Sequence, residues 1–99
     1  MEDHDPLFSL AGKVALVTGG GSGIGGMIAR GLAARGVRTY VTGRSQQAIG
    51  GFANEVAAET GGTCIGLVGD FSSERGPGDL AKRFAERESR LHILVNNAG

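Results

Sequence analysis

A chain of 99 residues makes one domain at most, and no hydrophobic run in it is long enough to span a bilayer. With 40% apolar residues and two prolines it has material for a packed core, which argues against wholesale disorder. Ten basic and ten acidic residues cancel, leaving no electrostatic footprint for nucleic acid or an anionic membrane; a single cysteine, Cys64, rules out an internal disulfide, and the widely separated His4 and His92 form no metal-ligand cluster. The first residues are acidic, with no apolar stretch after them that resembles a secretory segment, so a cytoplasmic location is the default expectation. The outlier is glycine, at nineteen residues against an average near 7%, and its placement carries the argument.

In chain order, residues 13–18 (Lys-Val-Ala-Leu-Val-Thr) form a compact apolar run without strict alternation, as suits a strand covered on both faces. The run breaks into Gly19-Gly20-Gly21-Ser22-Gly23-Ile24-Gly25-Gly26. From there Ile24, Ile28 and Leu32 recur every four residues beside Met27, which predicts a helix with that stripe inward, stopping at Gly36. Residues 38–42 are β-prone. Ser45 can cap a second helix with Ile49, Phe52, Ala53 and Val56 on one face, although Gly50 and Gly51 should cost it roughly 1 kcal/mol each relative to alanine. A Gly61-Gly62 break precedes a third strand over residues 63–68, ending at Gly69-Asp70. Gly76-Pro77-Gly78 leads into a third helix near residues 79–90, with Leu80, Ala81 and Phe84 inward and exposed pairs Asp79–Arg83 and Glu86–Arg90. Residues 91–95 make a fourth strand that runs into Asn96-Asn97-Ala98-Gly99.

Strands alternating with amphipathic helices at this spacing imply an α/β fold, a doubly wound parallel sheet of Rossmann type with helices on both faces, of which the chain holds a βαβαβαβ portion. Ligands in such sheets sit beyond the carboxyl ends of the strands, where the strand order reverses. The glycine turn, Arg44, Asp70 and the segment from Asn96 follow strands one to four in turn, so all four converge on that edge.

A dinucleotide pyrophosphate carries two negative charges, and free N–H groups at a helix N-terminus reach it only where no β-carbon intervenes. Gly19, Gly23 and Gly25 are read as supplying that clearance, and Gly21, Gly23 and Gly26 also fit the general Gly-x-Gly-x-x-Gly pattern. The alternative, a flexible linker, fits poorly between an apolar strand and an amphipathic helix. A nucleotide-triphosphate loop needs Lys then Ser or Thr after its last glycine, where this chain has Met27-Ile28.

These residues resemble the short-chain dehydrogenases/reductases. Thr18-Gly19-Gly20-Gly21-Ser22-Gly23-Ile24-Gly25 matches the family's Thr-Gly-x-x-x-Gly-x-Gly cofactor signature, and Asn96-Asn97-Ala98-Gly99 matches its Asn-Asn-Ala-Gly segment. The opening Phe8-Ser9-Leu10-Ala11-Gly12-Lys13 is most similar to that of bacterial 3-oxoacyl reductases, including the rhamnolipid-pathway type. The resemblance implies that residues 1–99 are the N-terminal, cofactor-binding part of one longer Rossmann domain, cut after the Asn-Asn-Ala-Gly segment. It implies hydride transfer between a nicotinamide and a small carbonyl or alcohol substrate, with the catalytic Asn, Ser, Tyr and Lys and the usual homo-oligomer helices lying downstream. A non-catalytic dinucleotide-binding module or redox sensor is the competing expectation.

Cofactor choice turns on the end of strand two, where an Asp or Glu would bond the adenosine ribose of NAD. Here the chain reads Thr42-Gly43-Arg44-Ser45. With no carboxylate to repel a 2′-phosphate and a guanidinium able to grip it, NADP fits better than NAD, by roughly 1.5 to 3 kcal/mol for a charged hydrogen bond. A solvated surface arginine is the plainer alternative, and Ser22 stands where many NADP-using relatives have a second basic residue. By resemblance, Asp70 with the Phe71 backbone would meet the adenine, or Asp70 would cap the following turn. The segment from Asn96 to Gly99, with Asn97, Ala98 and Gly99 as its candidate cofactor contacts, would brace strand one near Thr18 and reach the ribose, or be a polar turn. Tyr40 and Arg44 mimic a Tyr-x-x-x-Lys pair, but on a strand they stand about 13 Å apart. Cys64 reads as a core residue, and neither histidine has a catalytic neighbour in sequence.

Overall fold

A computed structural model describes residues 10–21, 23–69 and 75–97. Within them the elements run β1 (Val14–Thr18), α1 (Gly23–Ala34), β2 (Arg38–Gly43), α2 (Gln46–Thr60), β3 (Cys64–Val68), α3 (Gly76–Ala85) and β4 (Ile93–Asn96). The four strands form one parallel sheet in the order β3-β2-β1-β4. The chain therefore walks outward from β1 to β3, then crosses back to the other side of β1. That reversal opens a crevice between the carboxyl ends of β1 and β4, the expected ligand position in this architecture.

All five residues of β1 are buried, as its unbroken apolar run requires of a central strand covered on both faces. On one face Val17, Val41 and Cys64 pack with Ala29 and Ala33 of α1 and Ile49, Ala53 and Val56 of α2. On the other, Leu16, Tyr40 and Leu67 pack with Leu80 and Phe84 of α3, where the Tyr40 and Phe84 rings meet edge to face at 5.1 Å. Arg30 ties α1 to α2 on the outside, bonding Glu59 at 2.8 Å with its guanidinium over the Phe52 ring.

Two helices depart from the periodicity reading. In α1 the fully buried positions are Gly25, Gly26, Ala29 and Ala33, whereas Ile24 and Met27 are 67% and 70% exposed and Ile28 and Leu32 are only half-buried. The helix lies close enough to the sheet that its small residues face inward and the branched ones flank them. Helix α3 begins at Gly76 with Pro77 in its first turn, where a missing N–H is harmless, and ends at Ala85. Arg83 turns from Asp79 to donate to the Val68 carbonyl, and Glu86 and Arg90 fall beyond the helix. Leu80 and Phe84 are buried as expected, but Ala81 is exposed.

Candidate functional site

The site is built around the turn between β1 and α1. Gly19 has φ +67° and Gly23 φ +52°, left-handed backbone that a residue with a side chain adopts at a cost. A β-carbon on Gly23 would meet nothing within 4 Å, so the start of α1 faces open space. Gly25 does something else. A β-carbon there would lie 2.6 Å from the Gly19 carbonyl oxygen and 2.6 Å from Asn97 Nδ2, so its bareness serves the close approach of protein to protein. Gly21 borders α2, since a β-carbon on it would stand 3.2 Å from Ile49 Cδ1.

The crevice is closed at its base by hydrogen bonds between β1 and β4. Thr18 Oγ1 donates to Asn96 Oδ1 at 3.0 Å and accepts from the Asn97 N–H at 3.1 Å, while Asn97 Nδ2 donates to the Gly19 carbonyl at 3.4 Å. On the other side the Gly19 N–H donates to Thr42 Oγ1 of β2 at 3.1 Å. The turn is thus held from both neighbouring strands. Bracing of strand one by the asparagine segment is present in these bonds.

Arg44 and Ser45 follow β2 directly, on the exposed rim beside the turn. Ser45 is the N-cap of α2, its hydroxyl accepting from the Ala48 N–H at 3.2 Å. Neither α1 nor α2 has an acidic residue in its first turn, so no side chain there offsets the partial positive charge at the two helix starts. With exposed Arg44 following β2 at the same end of the sheet, this edge favours anionic groups.

Of the expected site residues, the structure brings Gly19, Gly21, Gly23, Ile24, Gly25 and Asn97 around the crevice and places Arg44 and Ser45 next to it. Ser22, Asp70, Phe71, Ala98 and Gly99 lie outside the described residues. Thr42 is the site residue that pattern reading did not single out. Inside an apolar strand its hydroxyl carries no signal until its cross-strand partner is known.

The titratable groups away from the crevice fall into structural roles. Tyr40 is fully buried and its hydroxyl donates to Glu88 Oε2 at 2.5 Å, which removes it from any pairing with Arg44. Cys64 is buried among the α1–α2 core, where desolvation pushes its thiol up to about 11. His92 has a partner in β1: its Nδ1 accepts the Val14 N–H at 2.9 Å.

The family model described as short chain dehydrogenase matches residues 13–99. The chain belongs to that family. A rhamnolipid-biosynthesis 3-oxoacyl-[acyl-carrier-protein] reductase from Pseudomonas aeruginosa is 48% identical over 94 residues, covering 95% of this chain and 36% of that protein. Mouse retinol dehydrogenase 12 is 40% identical over 92 residues, covering 91% of this chain and 29% of that protein. Among solved structures, the Pseudomonas aeruginosa RhlG/NADP active-site complex superposes with a TM-score of 0.88 at 47% identity, over 96% of this chain and 38% of that one. The chain thus spans 29% to 38% of the length of these relatives.

Proposed function

We propose that the chain is the cofactor-binding part of an NADP-dependent oxidoreductase that acts on a carbonyl or alcohol substrate. The observation that carries this reading is the glycine turn at the reversal of strand order, pinned from β2 and β4 and open in front of Gly23. The residues fit a dinucleotide. The α1 start, from Gly23 through Ile24, would take the pyrophosphate on its free N–H groups, with Gly19, Gly21 and Ser22 shaping the approach. Gly25 and Asn97 would hold that start against β4. Arg44, with the Ser45 hydroxyl and the start of α2, would take the 2′-phosphate of the adenosine ribose. Asp70 and Phe71 would meet the adenine, and Asn97, Ala98 and Gly99 the ribose.

When bound, the nicotinamide supplies the hydride chemistry, and the protein's share is position and electrostatics. In this chain the share is orientation: the starts of α1 and α2, which have no acidic residue in their first turns, and the Arg44 guanidinium would hold the anionic parts of the ligand. A proton-handling Ser, Tyr and Lys of the family type would have to come from outside these 99 residues. The 3-oxoacyl reductase relative, at 48% identity, makes 3-oxoacyl thioesters the first substrate class to assay.

The test is calorimetric. The chain should bind NADP more tightly than NAD, and Arg44→Ala should cut NADP affinity about tenfold to 150-fold while leaving NAD affinity nearly unchanged. Equal affinity for both, unmoved by the substitution, would refute the NADP assignment. If the parent with its complete reading frame binds NADP but turns over no carbonyl substrate, the oxidoreductase reading gives way to a binding module.

A further inference from the structure

We propose that Thr42 is a positioning residue for dinucleotide binding, holding the first peptide of the glycine turn so that phosphate falls to the amides of α1. The inference rests on the proposed dinucleotide site. The parallel ladder between β1 and β2 runs from the Arg38 N–H to the Lys13 carbonyl and ends with Val17 beside Val41. One step further along that ladder, the Gly19 N–H is due the main-chain carbonyl of Thr42. It goes instead to the hydroxyl of the same residue, at 3.1 Å. Threonine's side chain thus stands in for its own backbone at the point where β1 leaves the sheet.

The exchange has a physical consequence. Gly19 can swing to φ +67° and start the turn without orphaning its N–H, which a regular ladder would not allow. Thr42 is 1% exposed, so water does not compete for the bond. The next residue is tied as well, because the Gly43 carbonyl accepts the Gly69 N–H at 2.9 Å. The hydroxyl is therefore held by a strand fixed on both sides, and the turn inherits that rigidity. The Gly19 N–H is spent inside the protein, so it is not one of the donors offered to pyrophosphate. Thr42 also stands two residues before Arg44, so one short segment sets both the turn and the rim arginine.

The experiment compares Thr42→Val, nearly the same shape without the hydroxyl, and Thr42→Ser, which keeps it. Calorimetry is run with NADP and with adenosine 2′-monophosphate, which lacks the pyrophosphate, and amide hydrogen exchange is read at Gly19 by NMR. Thr42→Val should expose the Gly19 N–H to exchange and weaken NADP about tenfold while changing adenosine 2′-monophosphate less than twofold, and Thr42→Ser should restore both readouts. Unchanged Gly19 exchange in Thr42→Val overturns the proposal whatever the ligand data. So does an equal loss for both ligands, which would route the effect through Arg44 or general destabilisation, and so does a Thr42→Ser variant as impaired as Thr42→Val. A wild-type chain that binds adenosine 2′-monophosphate and not NADP, with Gly19 still protected, overturns the dinucleotide reading and the positioning role together. A wild type that binds NADP, with Thr42→Val binding equally well, overturns the positioning role alone.

Discussion

Asn97 occupies the space that a side chain on Gly25 would need: a β-carbon there would stand 2.6 Å from Asn97 Nδ2 and equally close to the Gly19 carbonyl. The carbonyl is backbone and cannot rotate away. Gly25→Ala should therefore lose about 1 to 3 kcal/mol of stability although alanine favours helix, because α1 must shift off the turn. Gly31, on the same helix, supplies the control. Only the end of the Arg35 side chain comes within 4 Å of a β-carbon there, at 3.7 Å, so Gly31→Ala should gain about 0.5 to 1 kcal/mol. Urea denaturation of the two variants beside the wild type checks the opposite signs, and only Gly25→Ala should also weaken NADP binding.

The contrast between these glycines shows what the sequence discloses and what it withholds. Strands appear in it plainly, because a run such as residues 14–18 buried on both faces leaves no polar interruption. The site's edge follows from strand order and the position of the turn. Helix α1 misleads, since Ile24 and Met27 have the spacing of a buried stripe, yet small residues let the helix come close and leave them outside. Distance in sequence hides the rest. Glu88 meets Tyr40 across 48 residues and Thr42 meets Gly19 across 23, and neither partner carries a local mark.

Cys64 should make stability depend on pH on the alkaline side. Burial raises its thiol from 9.0 to about 11, so the folded chain holds the proton more tightly than the unfolded one. That contribution is fully present below pH 9 and is lost as pH rises towards 11, by roughly 2 to 3 kcal/mol at most. Cys64→Ala removes the effect at the cost of a small cavity. Stability curves of the two proteins measured from pH 8 to 11 should converge as pH rises, and the native thiol should resist alkylation at pH 8 until denaturant is added.

Glu88 should act at the acid end. The Tyr40 hydroxyl and then the Arg38 guanidinium, both bonded to Glu88 Oε2, hold its carboxyl below the usual range, while burial pushes the Tyr40 phenol up and keeps it a donor. A depressed carboxyl stabilises the fold above its unfolded value and loses that effect as pH falls through its folded one. Glu88→Gln should thus be less stable than the wild type at pH 7 and should close the gap by pH 3. Tyr40→Phe should behave similarly, with a smaller change because Arg38 remains. Thermal melts across pH 3 to 7 give both comparisons.

The edge strand yields a prediction about self-association. Among the described residues β4 pairs only with β1, and Leu94 is 61% exposed beside an apolar groove of about 450 Å³ lined by Leu16, Pro77, Leu80 and Ala81. Unpaired N–H and C=O groups next to such a surface are a template for a second chain, and a formal net charge of zero supplies no repulsion. The 99-residue chain alone should therefore exceed its monomer mass of 10.1 kDa in sedimentation as concentration rises. Leu94→Lys places a charge on that exposed face without touching the β1–β4 ladder, and edge lysines discourage strand addition. The variant should remain monomeric at concentrations where the wild type associates, and equal association of the two would place the contact elsewhere.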